Sequence, residues 1–164
     1  MAKKNHTFKT KPDPISIWLR DAANINYEFY EPNPANRKDC DARGDCVVRA
    51  MCKLTDIDWY TLYNEIIVIA LKKCAMPESM ICIYQLLSNH GLQPLPKYDG
   101  LVITFLMTHR TGKYFIIIIG HCFAYVDGTI YDSIDGKPLE ESNIEWLITT
   151  DIESIYELKD NEEN

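Results

Sequence analysis

The stretch from residue 120 to residue 133 reads Gly-His-Cys-Phe-Ala-Tyr-Val-Asp-Gly-Thr-Ile-Tyr-Asp-Ser, two β-type runs separated by one Asp-Gly pair. Asp-Gly between two such runs is a strong short-range signal for a β-hairpin with a two-residue turn. With this turn, residue 126 pairs with 129, 125 with 130 and 124 with 131. Because side chains alternate between the two faces of a strand, one face is predicted to carry His121, Phe123, Tyr125, Ile130, Asp132 and Ile134.

On that face, His121 and Asp132 are diagonal neighbours across the two strands. Diagonal partners in an antiparallel pair stand about 7–8 Å apart at the backbone, and longer side chains can bridge this distance. An imidazole and a carboxylate placed in this way can form a hydrogen bond. The hairpin therefore predicts a His–Asp pair.

Upstream of the hairpin, the apolar spacing is mostly helical. A helix is predicted from Asp45 onward, and two more are predicted over about 58–73 and 77–90. Residues 92–99 contain two prolines and are predicted to form a loop. Residues 101–110 combine apolar helical spacing with β-branched side chains, and we expect a short helix there.

Strands are predicted in the second half of the chain. Residues 113–119 include four consecutive isoleucines, which is typical of a strand that is buried on both faces. The alternation of Ile144, Trp146 and Ile148 predicts a further strand, as does the run 152–158. Helices first and strands later indicate an α+β fold, with the helices leading and an antiparallel sheet following.

The 164 residues are enough for one compact domain. Residues 1–44 lack sustained periodicity and hold four of the eight prolines. We expect an N-terminal arm over 1–26, a single domain over 27–158 and an acidic tail over 159–164.

Charge and hydropathy limit the classes of partner. The net charge is −7, and the only positive cluster is the four lysines within residues 1–12. Binding to nucleic acid needs a basic face, so no nucleic-acid partner is expected. No apolar run approaches the length of a membrane helix or a signal peptide, so the sequence predicts a cytoplasmic protein without a membrane partner. The oligomeric state is left open.

No cofactor or metal is expected. The six cysteines include no Cys-x-x-Cys pair and the four histidines are scattered, so a structural zinc site is not predicted. A chain of this size does not need disulfides, and we expect free thiols. Glycine-rich loops that bind phosphate are absent from the sequence, which leaves nucleotide cofactors without support.

Of the six cysteines, Cys46 has the best position for a nucleophile. If Asp45 is the N-cap, Cys46 is the first residue of a helix, where unpaired backbone N–H groups favour a thiolate. Arg43 and Arg49 are nearby cations, whereas the charge of Asp45 opposes the thiolate unless its carboxylate turns away. The alternative is that Cys46 is a small buried apolar residue.

These observations predict a catalytic triad of Cys46, His121 and Asp132. The thiolate would attack a carbonyl, His121 would pass a proton to the leaving group, and Asp132 would orient the imidazole. The separation of 75 positions between Cys46 and His121 is no obstacle, because the partners of a triad meet in space.

Five segments of the chain stand out as a set. They are Tyr-Glu-Phe-Tyr-Glu-Pro-Asn-Pro at 27–34, Gly-Asp-Cys-Val-Val-Arg-Ala at 44–50, Gly-Lys-Tyr-Phe at 112–115, Gly-His at 120–121 and Asp-Gly-Thr-Ile-Tyr-Asp-Ser at 127–133. Together they resemble a family of small phage and bacterial proteins, which are described as uncharacterised or as relatives of papain-like cysteine peptidases. The resemblance covers about residues 27–135 and implies a papain-like fold, with Cys46, His121 and Asp132 at the matching positions.

One position departs from the papain-like pattern. These peptidases usually carry a glutamine about six residues before the cysteine to complete the oxyanion hole, and this chain has Cys40 there. Asn33 and Asn36 are the candidates to replace it. Loss of one such donor typically costs a few kcal/mol of transition-state stabilisation.

The resemblance implies a hydrolase that acts on a peptide, an isopeptide or a related amide through a thioester on Cys46, with a protein or peptide as substrate. Two alternatives remain. One is a catalytically inactive papain-like binding module, such as a phage or host interaction protein. The other is an acyltransferase or transglutaminase-like enzyme that uses the same three residues.

Overall fold

The computed structural model describes Pro14 and residues 24–33, 44–134 and 136–159. Six strands and five helices lie in this part of the chain. In order they are β1 (Asn26–Phe29), α1 (Cys46–Thr55), α2 (Trp59–Lys73), α3 (Met80–Asn89), β2 (Leu92–Pro94), α4 (Val102–Thr108), β3 (Lys113–Ile118), β4 (His121–Val126), β5 (Thr129–Asp132), α5 (Glu141–Ile148) and β6 (Ile152–Leu158).

The strands form one mixed sheet in the order β1-β5-β4-β3-β6-β2. All neighbouring strands are antiparallel except β1 and β5, which are parallel. The α+β class is confirmed, but the predicted order of elements is only partly right. Strand β1 precedes the helices, and its pairing with β5 makes the sheet mixed instead of antiparallel.

Helices cover both faces of the sheet and define two apolar cores. The first core lies between the sheet and α1, α2 and α3, and the second lies between the sheet and α4 and α5. Strand β3 contributes to both, because Phe115 and Ile117 face the first core while Tyr114, Ile116 and Ile118 face the second. The isoleucine run up to Ile118 is therefore a strand buried on both faces, as predicted, whereas Ile119 lies beyond the end of β3 and is 67% exposed.

The β4–β5 hairpin has the predicted register. Asp127 and Gly128 both have positive φ, at 46° and 86°. Two central residues with positive φ are what a type I′ turn requires, and this turn matches the twist of the strands. The pairs that the structure records are Val126 with Thr129, Tyr125 with Ile130 and Ala124 with Tyr131.

The predicted strand at 144–148 is wrong. This segment is the C-terminal part of α5, where Ile144, Leu147 and Ile148 pack into the second core and Trp146 remains 40% exposed. A spacing of three and four residues directs these side chains to one helix face. Glu140 and Asn143 form a capping box at the start of the helix, which satisfies its first backbone N–H groups.

Most other predicted elements are present. Helices are found near 45–55, 58–73 and 77–90, α4 confirms the short helix, and β6 confirms the last strand. The predicted loop at 92–99 instead contains the short strand β2. None of the helices in the described residues has both the length and the apolarity to cross a membrane.

Strand β1 starts at the last residue of the predicted N-terminal arm, one residue before the predicted start of the domain, because Asn26 already pairs with Thr129. Residues 1–13 and 15–23 of that arm lie outside the described residues, as do residues 160–164 of the predicted acidic tail. The domain limits of 27–158 stay a prediction.

Candidate active site

Three element ends meet at one end of the sheet. Cys46 is the first residue of α1, His121 is the first residue of β4 and Asp132 is the last residue of β5. An antiparallel hairpin places the first residue of one strand near the last residue of the other, which brings His121 to Asp132. Helix α1 packs across β4 and β5 and brings Cys46 to the same end.

The predicted His–Asp contact is present. Nε2 of His121 lies 2.6 Å from Oδ2 of Asp132, and Asp132 is only 4% exposed. The backbone carbonyl of Asp132 accepts hydrogen bonds from the Tyr27 hydroxyl, at 2.7 Å, and from the Tyr30 amide, at 3.0 Å. These contacts hold the backbone of Asp132 in place. Since Asp132 occupies Nε2 of the ring, Nδ1 is the nitrogen left for the sulfur of Cys46.

The Cys46 thiol lies beside His121 and Cys122. Hydrogen bonds from the Cys122 side chain and from His121 lower the pKa of Cys46 well below its usual value, although burial opposes them. Burial would lower the pKa of His121, but hydrogen bonds to Asp132 and Cys46 outweigh it and raise that pKa to about 9. At neutral pH the two shifts favour a thiolate and an imidazolium.

Asp45 does not oppose this thiolate. It is the N-cap residue of α1, but its carboxylate makes no capping hydrogen bond. Instead, Oδ2 accepts from Nδ2 of Asn33 and from Nε1 of Trp59, both at 3.2 Å, and Oδ1 lies 3.1 Å from Nε of Arg49. Arg49 compensates the negative charge of Asp45, and because the carboxylate does not cap the helix, the first-turn N–H groups are left to stabilise charge near Cys46.

Arg49 connects α1 to the sheet. Its side chain is 7% exposed, and Nη1 donates to the backbone carbonyl and the hydroxyl of Ser133. The same nitrogen lies 3.8 Å from a carboxylate oxygen of Asp132 and 3.8 Å from one of Glu31. The Ser133 hydroxyl in turn donates to Glu31 at 2.7 Å. One buried cation thus holds together the acidic groups behind the His–Asp pair.

A cleft of about 290 Å³ opens beside Cys46 and His121. This volume is near the lower end of small-ligand sites, which span about 300–1,000 Å³. The residues that line it are Gly44, Cys46, Val47, Glu78, Met80, Ile83, Phe115, Ile117, Ile118, Gly120, His121, Cys122 and Glu153. The Cys46 thiol is therefore reached from a largely apolar cleft.

Of the two residues predicted as oxyanion donors, the structure describes only Asn33. The side-chain amide of Asn33 donates to Asp45, so in this arrangement it does not face the cleft as a donor. Asn36 lies outside the described residues, as does Cys40. The backbone N–H of Cys122 donates to the Cys46 sulfur, and the backbone N–H of Cys46 lies in the first turn of α1, where it has no partner within the helix.

Three residues around the site are not among the site candidates predicted from the sequence. Alternation along β4 places Cys122 on the face opposite to His121, which is the face that α1 covers, and its side chain therefore lies beside Cys46. The ring centroid of Trp146, which belongs to α5 and not to the predicted strand, lies 6.2 Å from that of His121. Arg49 is predicted only as a cation near the thiol, but its place on the apolar face of α1 is a sequence signal for burial.

Comparison with protein-family models, with curated proteins and with solved structures finds no match to the chain. The papain-like resemblance therefore stays a prediction made from the residues. No group of three or more His, Cys, Asp or Glu residues among the described positions is arranged to hold a metal ion.

Replacing Cys122 by alanine should reduce the reactivity of Cys46 at mildly acidic pH. Burial raises the pKa of Cys122 well above its usual value, so its sulfur keeps a proton to donate to Cys46. We expect iodoacetamide to alkylate Cys46 several-fold more slowly at pH 6 in Cys122→Ala, with equal rates at pH 10. Mass spectrometry of the Cys46 peptide measures this rate.

Cys122→Ser is the matched control for this experiment. Its hydroxyl keeps a donor at the same place, and alkylation of Cys46 should stay closer to that of the unmodified protein. Equal rates at pH 6 in all three proteins would show that Cys122 has no influence on the thiolate.

Proposed function

We propose that the protein is a cytoplasmic cysteine hydrolase of the papain-like type, which cleaves a peptide, isopeptide or related amide through a thioester on Cys46. The observation that carries this proposal is the position of His121, between Asp132 at 2.6 Å and the thiol at the start of α1. All three groups lie at one end of the sheet, and a cleft reaches the thiol and the imidazole.

The chemistry follows from this arrangement. The thiolate of Cys46 attacks the carbonyl carbon, and the resulting oxyanion accepts a hydrogen bond from the Cys46 backbone N–H. The imidazolium of His121 gives its Nδ1 proton to the leaving amine, the C–N bond breaks and a thioester remains. His121 then takes a proton from water, the hydroxide attacks the thioester, and the acid and the thiolate are released.

Asp132 and Arg49 support His121 in this mechanism. Asp132 holds the imidazole in the tautomer that presents Nδ1 to the sulfur and stabilises its protonated form. Arg49 lies 3.8 Å from the other carboxylate oxygen of Asp132 and keeps that buried charge compensated.

The cytoplasmic location is supported by the thiols. Cys46, Cys52, Cys74, Cys82 and Cys122 are all free, as is usual in a reducing compartment. A protein or peptide is the proposed substrate, because the cleft is open to solvent beside the thiol.

An inactive binding module on the same scaffold is the second candidate. One observation favours it: the amide of Asn33 is engaged by Asp45 instead of standing as an oxyanion donor. A binding module would retain the architecture of the site without turnover. Transfer to an amine acceptor in place of water uses the same thioester and is a variant of the first proposal.

Acylation of Cys46 tests the proposal. Incubation with a set of activated peptide thioesters, followed by an acid quench, should give one acyl adduct on Cys46 by intact-mass and peptide analysis. Cys46→Ala should lose the adduct and at least about a thousand-fold of any turnover, as for the removal of a triad nucleophile. Added hydroxylamine should attack the thioester on Cys46 and release a hydroxamate. If an added amine competes with water for the thioester, an amide product will identify acyl transfer.

Cys74→Ala is the matched control, because Cys74 is an exposed free thiol at the C-cap of α2. Its loss should leave acylation unchanged. A stable acyl adduct without turnover would favour the binding module, and equal acylation of Cys46 and Cys74 would overturn the proposal.

A further inference from the structure

The cleft beside Cys46 carries two carboxylates at exposed positions. Glu78 lies just before α3, Glu153 lies near the start of β6, and both residues are exposed. Within the described residues, neither carboxylate has a hydrogen-bond or ion-pair partner in the protein. The remaining charged groups of the cleft, Cys46 and His121, compensate each other as thiolate and imidazolium.

The rest of the lining is apolar. Ile83, Phe115 and Ile117 are buried side chains of the first core that reach the cleft from α3 and β3. Met80, at the first position of α3, is 38% exposed and adds a flexible apolar side chain. The cleft thus combines hydrocarbon walls with a negative charge that no described residue compensates.

We propose that this cleft binds a basic side chain, lysine or arginine, next to the bond that Cys46 attacks. The inference rests on the proposed function and names its substrate class. Lysine and arginine have an aliphatic stem that packs against apolar surface and a charged end that stays near water. Such a stem fits against Ile83 and Phe115, while the cation lies near Glu78 and Glu153.

The same cleft disfavours the other classes of side chain. An acidic side chain would meet two carboxylates of like charge without a described cation to offset them. A neutral aliphatic side chain would keep the apolar contact but gain nothing from Glu78 and Glu153. The charge therefore determines the preference for a basic group over an uncharged group of the same length.

Three acyloxymethyl ketone probes test this inference on the full chain. They are identical except for the side chain beside the reactive ketone, which is lysine, norleucine or glutamate. Lysine and norleucine have similar stems and differ in charge. We expect the lysine probe to alkylate Cys46 about ten-fold faster than the norleucine probe, as for two exposed ion pairs, and the glutamate probe to be the slowest.

The variants locate the preference. In the double variant Glu78→Gln and Glu153→Gln, the lysine and norleucine probes should alkylate Cys46 at equal rates. In the unmodified protein, raised salt should bring the two rates closer together, because it screens exposed charges. Glu153→Lys should move the preference towards the glutamate probe. Glu141→Gln, at the exposed first position of α5 and outside the cleft, is the matched control and should leave all three rates unchanged.

The outcomes separate this inference from the proposed function. Equal labelling by the lysine and norleucine probes, or a lysine preference that survives in the double variant, overturns the inference and leaves the nucleophilic Cys46 intact. Failure of all three probes to label Cys46 overturns the proposed function and this inference with it.

Discussion

Alkylation of Cys46 at pH 6 should fall by more than about ten-fold when His121 is replaced by alanine, because the thiolate loses the cation that faces it. In the unmodified protein, the hydrogen bond and the charge of His121 help to lower the pKa of Cys46. Without the imidazolium, Cys46 should need a higher pH to reach the same rate. Rates of iodoacetamide labelling between pH 5 and pH 10, followed on the Cys46 peptide, measure the change.

His90→Ala is the matched control for His121→Ala. His90 is also a partly buried histidine with a carboxylate partner, since its Nε2 lies 2.7 Å from Glu65, but it stands at the end of α3. Its removal should leave the labelling profile of Cys46 unchanged. If His121→Ala and His90→Ala gave the same profile as the unmodified protein, the thiolate–imidazolium pair would be disproved.

The raised pKa of His121 and the lowered pKa of Cys46 have opposite effects on the pH dependence of stability. The pKa of His121 rises from 6.5 to about 9 on folding, so its contribution is fully present below about pH 6.5 and is lost as the pH rises through about 9. The lowered pKa of Cys46 gives a contribution that grows with pH over the same interval, because folding removes a proton from Cys46 where it adds one to His121. We therefore expect the free energy of unfolding to vary little on account of this pair between about pH 6.5 and pH 9, and an NMR titration of the His121 ring to show its change of charge near pH 9. Turnover that needs the imidazolium as acid should also decline near pH 9, whereas alkylation should not.

Replacing Arg49 by methionine should destabilise the protein by about 3–5 kcal/mol, the usual cost of removing one partner from a buried ion pair. The methionine keeps much of the apolar stem but leaves the carboxylates of Asp45 and Asp132 without their shared cation. It also removes the donors to Ser133, which is fully buried. Urea unfolding followed by circular dichroism gives the change in the free energy of unfolding.

Two further variants make this result specific. Arg110 donates an exposed hydrogen bond to the backbone carbonyl of Asn24, at 3.2 Å. Arg110→Met should therefore lower the free energy of unfolding by less than about 1 kcal/mol. Arg49→Lys keeps the positive charge but loses the planar guanidinium group with its several donors. Its loss of free energy of unfolding should lie between the losses in Arg49→Met and Arg110→Met. A loss in Arg49→Met no greater than that in Arg110→Met would show that Arg49 does not hold α1 to the sheet.

Local patterns predicted the hairpin and its His–Asp pair correctly because a two-residue turn leaves little choice of register. Asp127 and Gly128 accept the positive φ values that the turn needs, and the period of two then assigns the faces of both strands. The same period was misleading at 144–148. There, Ile144 with Ile148 fits a strand or a helix equally well, and only the packing of Leu147 against the second core decides for the helix.

The sequence by itself determined the elements whose geometry depends on near neighbours: helices α1 to α4, the buried isoleucine strand, the hairpin and the helix-start position of Cys46. The tertiary structure decided what depends on residues that are distant along the chain. It paired β1 with β5, turned the Asp45 carboxylate towards Arg49, brought Cys122 to the thiol and shaped a cleft bordered by Glu78 and Glu153. These contacts arise from packing between layers, and the periodicity of a single segment contains no information about which layer will cover it.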